Sequence, residues 1–396
     1  MDRVLLRLAL VAALIPSVSL SLTNLDTQPF AAILGILCVF NFHSTRLPRL
    51  IWCLLIPAAA AAVAALVSGS PTDGARSVVT YLSPWIFAST AYLAHRKGLQ
   101  IHRYLFFMLC LWASAALIQW LVDPRIFEFL VNTRTSTDRG VTSLAPEPSF
   151  YGLTIIQMWL TLLLVRPDIA RKWSVCLLSL FQVVVLARSM LSILVFFLIF
   201  ALFAARKIRW LVAISVFLLA GLAGSTDVLD SESRPAVLIG VLIENPTQVL
   251  YLYASISERF YHLYLSFERA LFSGFLPHGI TSFTEVIEQG QKEHPAFWWG
   301  EASNKVLSGA GGALFELGWF ALIYVLVFWR SLRRDRHVSN FHGLVIGLGI
   351  LLVYLNTVTL ASPYFGLMVG IMAARAYQVG SVRRMRERAT LISAAT

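Results

Sequence analysis

The sequence predicts an all-α, polytopic integral membrane protein: a single membrane domain, residues 1–396, of about twelve transmembrane helices. Three observations predict it. Of 396 residues, 58% are hydrophobic and 13% charged, with mean hydropathy +0.72, whereas soluble domains run nearer ~45–50% apolar and ~25% charged. Apolar runs recur along the whole chain at lengths suited to bilayer spans. The basic residues fall in short clusters between those runs, as cytoplasmic loops require. A soluble enzyme, a coiled coil and a disordered chain are excluded.

Taken in order, the predicted spans are 4–20, 29–42, 50–67, 78–94, 104–122, 149–165, 173–187, 189–205, 210–223, 313–329, 341–358 and 363–378. The first resembles a signal peptide, with Arg3 ahead of an apolar run, but Arg7 interrupts that run and it reads as a retained helix. With both termini cytoplasmic, 22 of the 32 basic residues and 4 of the 21 acidic ones lie inside. That is +18 inside and −7 outside, which together make the net +11, and every connection alternates as the positive-inside rule asks. The basic pI near 9.8 is therefore a topology signal. No nucleic-acid motif accompanies it. Cys38, Cys53, Cys110 and Cys176 lie inside apolar segments without metal-ligand spacing, so they read as small buried hydrophobes.

Two outward segments are large, 123–148 and 224–312, and a membrane protein with its polar mass on one face works there. The first ends RGVTSLAPEPSFYG, residues 139–152. Pro146 and Pro148 hold the chain extended around Glu147, and Ser149 is a candidate N-cap of the next helix. A carboxylate there is favoured by the helix dipole; it serves either capping alone or a reaction. Arg188 lies between two apolar runs with almost no loop, so it either snorkels or holds an anion.

In the long loop, Ser255, Arg259, His262, Ser266 and Arg269 recur at steps of four and three. They form one polar stripe of an amphipathic helix whose other face is Ile256, Phe260, Leu263, Phe267, Ala270 and Leu271. The arginines meet either lipid phosphates at the interface or the diphosphate of a lipid-linked substrate. FSGFLPHG, residues 272–279, follows as a capping turn through Gly274 or Gly279. His278 and His294 are outer imidazoles, either surface residues or bases near neutral pH. The spacing of His262, His278 and His294 matches no metal pattern, so no metal site is expected. Phe297, Trp298 and Trp299 read as an aromatic anchor or as a platform for a sugar ring. Glu316, followed by Gly318, sits one turn into a span and calls for a partner, an outer arginine being the natural one.

Together these residues resemble the bacterial O-antigen polymerase and O-antigen ligase superfamily, which includes exopolysaccharide polymerases. The resemblance covers most of residues 120–330. APEPSFYG is similar to that family's glutamate motif, and Arg188 with Ser189 to its arginine at an outer helix junction. Arg259 ahead of FSGFLPHG is similar to its loop arginine, and Glu316 with Gly318 to the E-x-G opening the helix after the loop. One departure stands out. Ligases carry a His-Asn pair before that helix, whereas here His294 is not followed by Asn and Asn304 has no His beside it.

The resemblance implies a GT-C-like fold in a bacterial inner membrane, with the site facing the periplasm. The reaction it implies is inverting, metal-independent glycosyl transfer without a cofactor. Donor and acceptor would be glycans on undecaprenyl diphosphate; membrane lipids surround the protein, and a chain-length-determining copolymerase is a further partner. The expected diphosphate clamp is Arg139, Arg188, Arg259 and Arg269. Glu147 is the preferred base, with His278 and His294 in reserve and Ser149, His262 and Glu316 in support. A ligase acting on lipid A-core is the near alternative. A transporter, the distant one, calls for repeated halves and charges at the bilayer midplane, which this sequence does not show.

Overall fold

The computed structural model describes residues 2–18, 28–68, 70–134, 140–204, 254–293, 295, 306–356 and 358–378. The predicted span 210–223, Arg139, His294, residues 297–299 and Asn304 lie outside them.

Among the described residues every regular element is helical. In chain order they are α1 (Asp2–Leu14), α2 (Phe30–Asn41), α3 (Arg49–Trp52), α4 (Leu55–Val67), α5 (Pro71–Arg96), α6 (Ile101–Leu121), α7 (Pro148–Val165), α8 (Pro167–Ala170), α9 (Trp173–Phe181), α10 (Met190–Ala204), α11 (Ala254–Phe272), α12 (Phe283–Glu293), α13 (Gly309–Leu317), α14 (Leu322–Arg334), α15 (Asn340–Leu355) and α16 (363–378).

Local chemistry sets the boundaries. Pro71 and Pro148 open α5 and α7 at the first helical turn, where a missing N–H costs nothing. Pro167 forces Arg166 out of helical geometry (φ −143°, ψ 79°) and stops α7. Gly98, at φ 74°, ends α5 with Leu99 N–H bonded back to Ala94. Ala187 N–H reaches Gln182 across a wide turn, and Arg188 then takes φ 47°, which breaks α9 from α10. Gly318, at φ 54°, splits the segment predicted as one span at 313–329 into α13 and α14.

Every predicted span that is described is helical, but the count of twelve crossings is not what these residues show. Among the described residues four helical segments are long and apolar enough to cross a membrane: Arg49–Val67, Ile101–Leu121, Pro148–Val165 and Gly309–Arg334. Four others, Phe30–Asn41, Trp173–Leu186, Leu191–Leu202 and Asn340–Leu355, are apolar but shorter. The 26-residue α5 is long, but Asp73, Arg76, Thr80, Ser83 and Pro84 dilute its apolar character.

The core centres on α7, whose span is 83% buried against 28% for Arg49–Val67. It packs on α6, α10 and α15, with Trp112 stacked on Tyr151 and Trp159 against Phe196. A second, smaller apolar cluster joins α11, α12 and α13 through Tyr261, Leu265, Phe283, Ile287 and Phe315. At one end of the bundle Arg375 ties α16 to the end of α7, donating to the Leu164 and Val165 carbonyls and pairing with Asp335 at 3.4 Å. The candidate site lies at the opposite end of α7.

Candidate functional site

The segment leading into α7 is buried: Val141, Thr142, Ser143, Leu144 and Ala145 are all nearly inaccessible. Backbone groups buried this deeply need partners. Ser143 N–H donates to Gln119 Oε1 at 2.5 Å, Ser143 Oγ donates to the Trp112 carbonyl at 2.7 Å, and Gln119 Nε2 donates to Thr142 Oγ1. Val141 N–H donates to Leu186, and Gly140 lies so close that a Cβ there would stand 2.0 Å from the Ala187 carbonyl oxygen. This packing fixes the position of the Glu147 backbone.

Glu147 is itself the N-cap residue of α7, extended at φ −141° and ψ 154°, with Pro148 at the first helical position. The expectation that Ser149 caps the helix is corrected accordingly, because Pro148 has already entered helical geometry. The Ser149 hydroxyl instead donates to Glu147 Oε2 at 3.3 Å. Two guanidinium groups flank the carboxylate. Arg134 Nε lies 3.3 Å from Oε1, and Arg259 Nη2 lies 3.6 Å from Oε2 and 3.4 Å from Ser149 Oγ. Arg134 is placed by a backbone hydrogen bond to Pro146 of 2.6 Å, and Arg259 comes from the first half of α11. All three charged side chains retain some exposure: 22% for Glu147, 25% for Arg259 and 47% for Arg134.

The polar stripe of α11 faces inward. His262 and Ser266 are fully buried, while Phe260, Tyr264, Leu271 and Phe272 are exposed. His262 Nδ1 accepts from Leu307 N–H at 3.3 Å, and Ser266 meets Gly311 so closely that a Cβ would stand 2.4 Å from its hydroxyl. Buried polar groups thus join α11 to the start of α13, and the outward apolar face suits surroundings of lipid.

The other expected residues are spread out. Arg269 lies ten residues beyond Arg259, about 15 Å along the helix, and donates to Gln289 of α12 at 2.9 Å. Arg188 is exposed; its Nε donates to the Val185 carbonyl, and it meets no acid among the described residues. His278 packs its ring on Phe315 with centroids 4.6 Å apart, and no histidine pairs with Glu147 among the described residues. Burial, with nearby Arg269, pulls the His278 imidazole below its ordinary value. Among the described residues Glu316 does not meet the expected arginine. Its Oε2 accepts from the Tyr81 hydroxyl of α5 at 2.6 Å.

No protein-family model, curated protein or solved structure matches this chain. The site is therefore read from its own geometry.

Arg134 and Tyr81 were not among the residues singled out from the sequence. Arg134 belongs to the charged outer segment 123–148, which was a usable signal. Tyr81 lies 235 residues from Glu316, and no local pattern links them. Among the described residues no three His, Cys, Asp or Glu side chains converge as metal ligands do. Chemically, the Glu147 cluster offers a carboxylate held between two cations, all in reach of solvent. Such a group binds an anion through its arginines or accepts a proton through its carboxylate.

Proposed function

We propose that this chain is a polysaccharide polymerase of the inner membrane, joining oligosaccharide repeat units carried on undecaprenyl diphosphate at the periplasmic face. The observation that carries the reading is Glu147 held between Arg134 and Arg259 at the N-terminus of α7, the most buried candidate span among the described residues. In the absence of substrate the guanidinium groups neutralise the carboxylate. A donor diphosphate draws them onto its own oxygens, since planar forks match phosphate as well as carboxylate. Glu147, released from its partners, then takes the proton of an acceptor sugar hydroxyl.

The acceptor oxygen forms a bond to the anomeric carbon as the bond from that carbon to the phosphate oxygen breaks. The lipid diphosphate departs with its electron pair, its charge held by arginine, and in-line attack inverts the anomeric centre. Arg188 and Arg269 remain candidates for following the diphosphate and the glycan along the same face.

The test uses purified protein with lipid-diphosphate-linked repeat units and neither nucleotide sugar nor lipid A-core. A product ladder spaced by one repeat is expected. Product formed only after lipid A-core is added would make the chain a ligase. No product under either condition with the cognate substrate would overturn glycosyl transfer and leave transport.

A further inference from the structure

We propose that a separate cleft between α5 and α13 binds one neutral sugar ring of the glycan. The inference rests on the glycosyl-transfer reading for its choice of sugar and on the cleft itself for its place. The cleft has a volume of about 270 Å³ and opens between the start of α5, Ile280, the start of α13 and the Thr359–Leu360 turn. That is near the lower end of the ~300–1,000 Å³ of small-molecule sites, room for a single ring and not for a folded oligosaccharide.

Its lining is built for hydroxyls. Glu316 is only 8% exposed and lines the cavity; the Tyr81 hydroxyl takes one of its oxygens at 2.6 Å, which leaves the carboxyl group further hydrogen-bonding positions. Tyr81 is itself fixed, because Tyr324 donates to its carbonyl at 2.8 Å. The same lining carries Asp73, held by Ser70 at 2.9 Å, and Arg76, which is exposed and has no acid partner among the described residues. Ser77 and Thr80 add hydroxyls one and two turns along.

Asp73 beside Arg76 offsets the single positive charge of the lining, which disfavours a polyanion such as diphosphate. Acceptors and donors lining one small cavity match a ring that carries both on every hydroxyl. The connection to the Glu147 cluster is physical. Arg259, which pairs with Glu147, lies one helical turn from His262, which binds Leu307 N–H, and the adjacent Ser308 lines the cleft.

The experiment is saturation-transfer NMR on the full chain in nanodiscs with the methyl glycosides of glucose, galactose, mannose and N-acetylglucosamine, and with inorganic pyrophosphate. At least one glycoside is expected to bind. Its signal should fall about tenfold in Arg76→Gln, which loses a charged hydrogen-bond donor, and vanish in Thr80→Trp, which fills the cavity. It should persist in Glu147→Gln. Glu316→Gln keeps an acceptor for Tyr81 and gives a second, fold-neutral variant; melting curves check that each variant is folded. Binding of no glycoside, glycoside binding indifferent to all three cleft variants, or pyrophosphate binding lost with Arg76 would each overturn the proposal. Glycoside binding with no product in either transfer assay would sink the transferase and leave the cleft; a ladder without glycoside binding would do the reverse.

Discussion

Arg259 and Glu147, 112 positions apart, meet at 3.6 Å and join the helix of the long loop to the N-terminus of the central helix. The pair is partly exposed, so its contribution to stability stays within about 1 kcal/mol. A role in the reaction would be far larger. Glu147→Gln and Arg259→Ala are each expected to lower polymer formation by about 100-fold or more while shifting the melting temperature little. Wild-type rates in both would remove the proposed site.

The Arg375–Asp335 pair at the other end of the bundle gives the opposite pattern. The Asp335 side chain is fully buried and that of Arg375 is 12% exposed, and Arg375 also serves two carbonyls at the end of α7. Arg375→Ala strands a buried carboxylate and is expected to cost about 3–5 kcal/mol. Unfolding in detergent would show this directly. An unchanged midpoint would mean that water already reaches the pair.

These two pairs show what the sequence displayed and what it hid. The apolar helices were legible as apolar runs ended by Pro, Gly or charge, whereas the polar α12 was not foreseen. The number of crossings was not, because short apolar helices such as α2 and α15 pack as well as they span. The frame around Glu147 was legible from its two prolines. Its partner Arg134 was legible only as one charge of the outer segment 123–148, since a backbone bond to Pro146 brings it in and no periodicity does. The stripe on α11 was found, but its direction was open: an amphipathic helix points its polar face towards water or towards a polar interior, and the buried His262 and Ser266 decide for the interior. Asp73, Arg76 and Tyr81 were passed over because the residues that share their cavity, such as Glu316, lie more than 200 positions away.

Gly318 is the residue whose backbone permits the break between α13 and α14. Its φ of 54° with ψ −129° is a conformation that other residues avoid, and a Cβ would stand 2.2 Å from the Phe275 carbonyl oxygen. That same carbonyl accepts Trp319 N–H at 3.0 Å. Gly318→Ala is expected to destabilise by about 1–3 kcal/mol and to displace the turn that carries His278. Thermal unfolding measures the first effect. A melting curve identical to the parent would show that the turn yields without cost.

His278 gives a prediction in pH. Burial, reinforced by the charge of Arg269 and opposed by backbone hydrogen bonding, lowers its value below the 6.5 of an ordinary imidazole. The folded protein then binds fewer protons than the unfolded chain between the lowered value and 6.5. This residue therefore takes stability away as pH falls through that window and contributes no pH dependence above it. His278→Gln is expected to flatten the fall in melting temperature between about pH 7 and pH 5. Because the ring rests on Phe315 and makes no pair with Glu147, the same variant should retain polymer formation within about threefold at pH 7.5. A steep loss of product with an unchanged melting profile would transfer the base from Glu147 to His278.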